Sequence, residues 1–335
     1  MRKNLLKNDG FPMSVDYDKD LRAMNNGLSD SWYFKTEFVS EGKELGFTWH
    51  PMVQYVDGKA FMSIESNLMN ASDKIWLNNS AMFPMDGEKN SANEEHMDVR
   101  CKWGVMAGNE KHMTLDAAFN GNELHMTFDA SGEVLFNAAT GLLRLGNSGS
   151  LQYSFPSMKM NGTFNMQGHI YEVKDAVAWF DRQYSMVFDP AKGVSAAPGQ
   201  NCWLWIGQSR LKEGKSAVSL WDIYYAKDAR FAFATFARED GSQVNAVCEI
   251  TYDKIWSSDK SGHSYPDVIH VKCPQEDYEM TFTCLDTGHS AEFVHEKVKA
   301  MSGVQCLYRA QGHYKGAEID ALNDVEMIGD LCGEI

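Results

Sequence analysis

Nowhere in these 335 residues is there a run approaching the ~20 consecutive apolar residues that a helix needs to cross a bilayer. Positive charge is short as well: 31 Lys and Arg face 46 Asp and Glu, a formal net charge of -15. Without a basic stripe to neutralise phosphates or attract lipid head groups, nucleic acid and anionic membranes are excluded as partners, and the charge is expected to serve solubility. The ten histidines contain no His-Glu-x-x-His and no clustered His/Cys spacing, so no metal is expected. A Gly-x-Ser-x-Gly elbow, a phosphate-cradling Gly-rich loop and a dinucleotide fingerprint are all missing, which removes the hydrolase, kinase and dehydrogenase readings. The glycines between Gly141 and Gly149 precede no helix and read as turn residues.

The seven cysteines, Cys101, Cys202, Cys248, Cys273, Cys284, Cys306 and Cys332, are odd in number, widely spread and without a Cys-x-x-Cys pair. They are expected to be reduced, mostly buried thiols. The start, Met1 to Gly10, has only a two-leucine apolar run, far short of a signal-peptide core. A cytoplasmic location is expected, in which the sequons at Asn70, Asn78 and Asn161 carry no meaning.

What the chain does have is aromatic residues, 12% of the total, and 19 methionines, large adaptable groups of the kind that line an apolar ligand cavity. Most segments alternate with a period of two and break at Gly, Asn, Asp and Ser clusters, the mark of strands. Trp32 to Phe38 and Leu45 to Trp49 flank a turn at Glu41-Gly-Lys43, and turns at Asn120-Gly121, Ser131-Gly132 and Gly141 suit a meandering antiparallel sheet. A second series follows the stretch Asp189 to Gly199, with strands at Asn201–Ile206, Ala217–Tyr225 and Phe231–Phe236. The expected architecture is all-β, two tandem antiparallel β-barrels, because one open sheet this large leaves long unpaired edges. Residues 1–30 are read as an extension, 31–188 as the first barrel and 189–335 as the second. One helix is expected, over Ala291–Ala300.

The most informative stretch ends Ala178-Trp179-Phe-Asp181-Arg-Gln-Tyr184. On a strand, Trp179, Asp181 and Gln183 share one face while Phe180, Arg182 and Tyr184 share the other. A carboxylate among indole and phenol rings is costly to charge, so its pKa is expected to rise and to leave a proton for donation to a C=C or C=O group. Trp179, Tyr184, Trp203 and Trp205 offer ring faces to a developing cation. Gln183 or Tyr224 can position a water, and Trp49-His50-Pro51 can present an imidazole at a cavity mouth. Each has a plainer reading: an Asp181–Arg182 ion pair, core indoles at Trp203 and Trp205, and a turn histidine at His50. Trp32 and Tyr33 are expected to plug a barrel end.

The stretches Ser31-Trp32-Tyr33-Phe34, Tyr153 to Tyr184, Trp203-Leu-Trp205 and Tyr265 to Phe282 resemble, in this order, the lipocalin-like family of acyclic carotenoid hydratase (hydroxyneurosporene synthase). That family is similar to kievitone hydratase and to fungal cyclases that close decalin rings. The resemblance covers roughly residues 30–333, and Trp179-x-Asp181-Arg182-Gln183 is its most specific part. It implies two lipocalin-like barrels packed on one another, no metal or organic cofactor, and a small hydrophobic molecule as the partner. It also implies that Asp181 is the proton donor. The carotenoid enzymes usually have Tyr where this chain has Trp179, and their upstream His-x-Trp has no counterpart in Leu151-Gln-Tyr-Ser-Phe155. What is implied is a cofactor-independent hydratase, dehydratase or isomerase acting on a terpenoid, polyketide or phenolic compound, with Asp181, Arg182 and Gln183 as catalytic residues. A non-catalytic carrier of an apolar ligand and a ring-closing cyclase are the alternatives.

Overall fold

A computed structural model describes residues 15–25, 29–56, 58–130, 133–145, 148–187, 202–212, 214, 216–226, 229–296 and 299–333. The stretch 189–199, read as the boundary between barrels, lies outside them, as does the turn at Ser131-Gly132. Thirteen strands make the first sheet. They are β1 (Asp30–Ser40), β2 (Lys43–Val56), β3 (Lys59–Asn70), β4 (Ile75–Pro84), β5 (Ser91–Ala92), β6 (Met97–Cys101) and β7 (Gly104–Gly108). There follow β8 (His112–Phe119), β9 (Asn122–Asp129), β10 (Leu135–Phe136), β11 (Leu142–Leu145), β12 (Ser148–Met166) and β13 (His169–Val187). Ten strands make the second: β14 (Cys202–Gln208), β15 (Ala217–Ala226), β16 (Ala229–Ala237), β17 (Gln243–Val247) and β18 (Glu249–Ser257), then β19 (Ser264–Cys273), β20 (Tyr278–Cys284), β21 (Glu292–Phe293), β22 (Gly303–Tyr314) and β23 (Ala317–Ile328).

The first sheet runs β4-β3-β2-β1-β13-β12-β9-β8-β7-β6-β5, and the second β17-β16-β15-β14-β23-β22-β20-β19-β18. Most steps join chain neighbours, as hairpins dictate. Two of those hairpins turn at Asn120-Gly121 and Gln167-Gly168, where both residues have positive φ (51 and 79; 55 and 89), the conformation that a tight two-residue turn requires and glycine supplies without strain. Both sheets curl. Phe34 of β1 and Phe128 of β9 stand three strands apart in the order, yet their rings stack at 4.0 Å. In the second sheet the Tyr252 hydroxyl of β18 donates to Asp222 of β15, six strands along the order. The architecture is therefore two curled antiparallel β sheets, lipocalin-like, with almost no helix.

The chain divides into two compact units, each taken here over its described residues. One holds Met13–Gly132 with Leu151–Met186; the other holds Glu133–Ser150 with Val187–Ile335. The segment Glu133–Ser150 joins the second through specific bonds. Gln243 Nε2 donates to Val134 O at 2.6 Å and Gln243 Oε1 accepts from Phe136 N at 2.9 Å. Asn137 Oδ1 accepts from Ser219 Oγ at 2.5 Å and Trp221 Nε1 at 3.1 Å. A division at one point in sequence misses this exchange, because nothing local marks where residues 133–150 pack.

Two expectations are corrected. Ala291–Ala300 is not a helix: its described residues form β21 and the start of a 3-10 turn over Lys299–Met301. β21 pairs with β22, and that pairing overrides a loosely periodic sequence. The cysteines are not all reduced, for Cys248 and Cys273 form a disulfide. The register setting Glu249 opposite Lys272 brings Cys248 opposite Cys273, with Cα atoms 4.7 Å apart. Among the described residues no helix is long and apolar enough to cross a membrane.

Candidate active site

Two neighbours in sequence, Asp181 and Arg182, are sent to opposite faces of β13, and each gathers its own cluster. β13 pairs with β1 so that Trp32 faces Arg182, Tyr33 faces Asp181, Phe34 faces Phe180 and Lys35 faces Trp179. Trp32, Phe34, Phe180 and Arg182 lie on the concave side with the core rings. Ser31, Tyr33, Lys35, Trp179, Asp181 and Gln183 lie on the other side, and most of these are buried too.

On the concave side Arg182 is fully buried and every one of its N–H donors is engaged. Nε donates to Asp20 O (2.6 Å), Nη1 to Ser31 O (3.1 Å) and Gln183 O (2.8 Å), and Nη2 to Arg22 O (2.9 Å) and Asp30 Oδ1 (2.6 Å). The guanidinium lies over Trp32 at 4.4 Å and Tyr184 at 4.9 Å, while Trp32 Nε1 donates to Leu21 O at 2.7 Å. This stack ties residues 20–24 to the strand ends. Burial pushes the Tyr184 hydroxyl up to about 12. Trp49 is also on the concave side, packed on Phe119, and its indole N–H has no partner among the described residues.

On the opposite side Asp181 Oδ1 accepts from Trp179 Nε1 at 2.7 Å and from the Ser154 hydroxyl. Only 4% of Asp181 is exposed, and burial pushes its carboxyl up to about 6 against the pull of Ser154, Trp179, Gln152 and the Lys35 charge. The Lys35 ammonium, itself buried, binds both Glu37 oxygens at 3.1 Å. Tyr33 stands between Asp181 and His50, since the register pairing Ser31 with Met52 and Phe34 with Trp49 sets it opposite His50. The Tyr33 and His50 rings meet edge-on at 5.0 Å. His50 in turn faces Glu65 of β3 and makes a 3.2 Å bond through Nε2 to Ser31 Oγ. Burial pushes the imidazole down to about 4, opposed by Glu65. The result is a row of ionisable groups, Asp181, Tyr33, His50 and Glu65, across four adjacent strands spaced about 4.8 Å apart. The acid is held protonated to a higher pH than the base, an order opposite to that in water.

The remaining candidates belong to the other unit. Trp203 and Trp205 share a face of β14, as alternation requires; Trp203 Nε1 donates to Glu326 Oε1 at 2.9 Å and Trp205 Nε1 to Ser219 Oγ at 3.1 Å. Tyr224 lies on the other face beneath the Arg230 guanidinium, 5.1 Å from its ring, and burial pushes its hydroxyl up. Thus Trp179, Asp181, Gln183 and His50 come together on one face, and Arg182, Tyr184 and Trp49 on its reverse. Sequence reasoning missed Ser154, Gln152, Lys35 and Glu65. Ser154 was within reach, lying in the Tyr153-Ser-Phe-Pro stretch, whereas Lys35 and Glu65 enter only through cross-strand register. Among the described residues no group of three or more His, Cys, Asp or Glu could hold a metal.

Comparison with known proteins follows the fold. The chain is 26% identical over 242 residues to dehydratase asqC of Emericella nidulans, a match spanning 67% of this chain and 63% of that relative's length. The solved structure of an AttH protein of Nitrosomonas europaea superposes with a TM-score of 0.78 at 17% identity, covering 95% of this chain and 97% of the other. Kievitone hydratase of Nectria haematococca gives 0.75 at 15% identity, covering 94% and 93%. At these identities the structures speak for the fold. Residues 12–294 match the AttH-like family, and the chain belongs to it.

Proposed function

We propose that this protein is a lyase of the hydratase or dehydratase type, adding water to or removing it from a small hydrophobic molecule, with Asp181 as the proton donor. The observation that carries the reading is Asp181 itself, a buried carboxyl pushed up to about 6 and fixed by Ser154 and Trp179. Ser154 and Trp179 both donate to Oδ1, and Gln152 adds a further side-chain hydrogen bond to the carboxyl, so the group is held in one orientation. A general acid of this kind contributes roughly 10²–10⁴-fold to rate. Trp179 and Gln183 share its face and are assigned to substrate contact, whereas Arg182 and Tyr184, committed to the stack with Trp32, are assigned to structure. The names of the relatives, a dehydratase and a hydratase, favour water as the group transferred over ring closure or isomerisation.

The test is to incubate gently purified protein with the hydrophobic metabolite extract of its native host and follow gain or loss of one water by mass spectrometry. Asp181→Asn is expected to slow the conversion roughly 10²–10⁴-fold while the protein still retains the ligand. Activity needs the acid form, so it should fall as pH rises through about 6. Equal conversion by the two proteins removes Asp181 as the donor, and retention of a ligand that neither protein converts leaves carriage.

A further inference from the structure

The row that holds Asp181 places a second titratable group on the same face, one strand beyond Tyr33. His50 has one hydrogen bond among the described residues, Nε2 to Ser31 Oγ, so Nδ1 has no partner there. Its ring meets the edge of Tyr33, the residue that also faces Asp181. The charged groups about the pair are Glu65 from β3, next to His50, and the Lys35–Glu37 pair from β1; Ser154 and Gln152 of β12 reach Asp181 as neutral partners. A neutral imidazole beside a protonated carboxyl is the arrangement that elimination of water requires, one group to take a proton and one to give.

We propose that His50 is the base that works against Asp181, and that the substrate is a hydrophobic alcohol whose neighbouring C–H is acidified by a carbonyl or aryl group. The inference rests on the reading of Asp181 given above. In elimination the C–H bond breaks, its proton goes to His50 Nδ1 and its electron pair becomes the second bond of a C=C. The C–O bond breaks with its pair on oxygen, and the Asp181 proton completes the departing water. The site is left with an Asp181 carboxylate and a His50 imidazolium. One proton returning from His50 to Asp181, directly or through solvent, restores it. Hydration is the reverse sequence, and no redox partner is needed.

The closing experiment uses the same extract and mass readout with Asp181→Asn, His50→Gln and the double variant, each checked for native circular dichroism; His50→Asn replaces His50→Gln if the latter does not fold. Each single change is expected to slow conversion roughly 10²–10⁴-fold, and the double variant to be no slower than the slower single, since the two groups act as a unit. Wild-type kcat/KM should fall below about pH 4 as His50 takes up a proton, and the residual activity of His50→Gln should lack that acidic limb. His50→Gln within about threefold of wild type, or losses that multiply in the double variant, overturns this inference and leaves Asp181 in place. Conversion indifferent to Asp181→Asn, or an extract that wild type leaves unchanged, overturns both.

Discussion

In the role proposed for it, Asp181 sets stability and chemistry against each other. The folded protein holds its proton up to about pH 6, while the unfolded chain releases it near 3.8. Stability from the bound proton is therefore fully present below about 3.8 and lost as pH rises through 6, leaving a buried charge that costs roughly 3 kcal/mol at pH 8. Asp181→Asn keeps an oxygen for Ser154 and Trp179 but carries no charge. Its Tm should exceed that of wild type at pH 8, and the advantage should vanish at pH 4; a wild-type protein more stable at pH 8 would contradict the burial of this carboxyl. His50 acts in the other sense, since an imidazole held neutral down to about 4 removes stability as pH falls below 6.5. The alternation of Trp179, Asp181 and Gln183 was legible in the sequence, because a strand fixes it residue by residue. That Tyr33 and His50 complete the row was not, because the pairing of β1 with both β2 and β13 is decided by contacts far along the chain.

At the scale of the strands, residues 30–36 of β1 and 178–182 of β13 are buried on both faces, which is why a polar cluster and an ion pair can share one short stretch. The Arg182–Asp30 pair is wholly enclosed, with side chains 0% and 2% exposed. Arg182→Met strands Asp30 without its counter-ion and should cost roughly 3–5 kcal/mol, read as a lower urea midpoint, while the protein that remains folded keeps its turnover. Lost turnover at unchanged stability would return Arg182 to the reacting groups. The disulfide makes a simpler expectation: denatured protein should titrate five thiols without reductant and seven with it. Neither the disulfide nor β21 could be read from the chain. Cysteines 25 residues apart carry no pairing signal, and a two-residue strand is shorter than any period that could reveal it.

For the whole molecule, the two-residue period and the spaced turns pointed to an all-β chain of two antiparallel barrels; the chain folds as two curled antiparallel sheets, and the superposed solved structures agree. The membership of residues 133–150 was illegible, since it depends on what Asn137 and Gln243 bind rather than on composition. With a net charge of -15 the protein should pass through heparin unretained at physiological salt, and retention there would point to a basic surface that the composition does not suggest. The opposed placement of Asp181 and Arg182 also governs how this lineage can change. On the role proposed for Asp181, exchanging side chains around it can redirect the site to new compounds, but gaining or losing a single residue within 179–184 reverses the inward and outward sets together. Such an indel would thrust the carboxyl among phenylalanines and pull the guanidinium off its tryptophan, so diversification in this stretch should proceed by replacement at constant length.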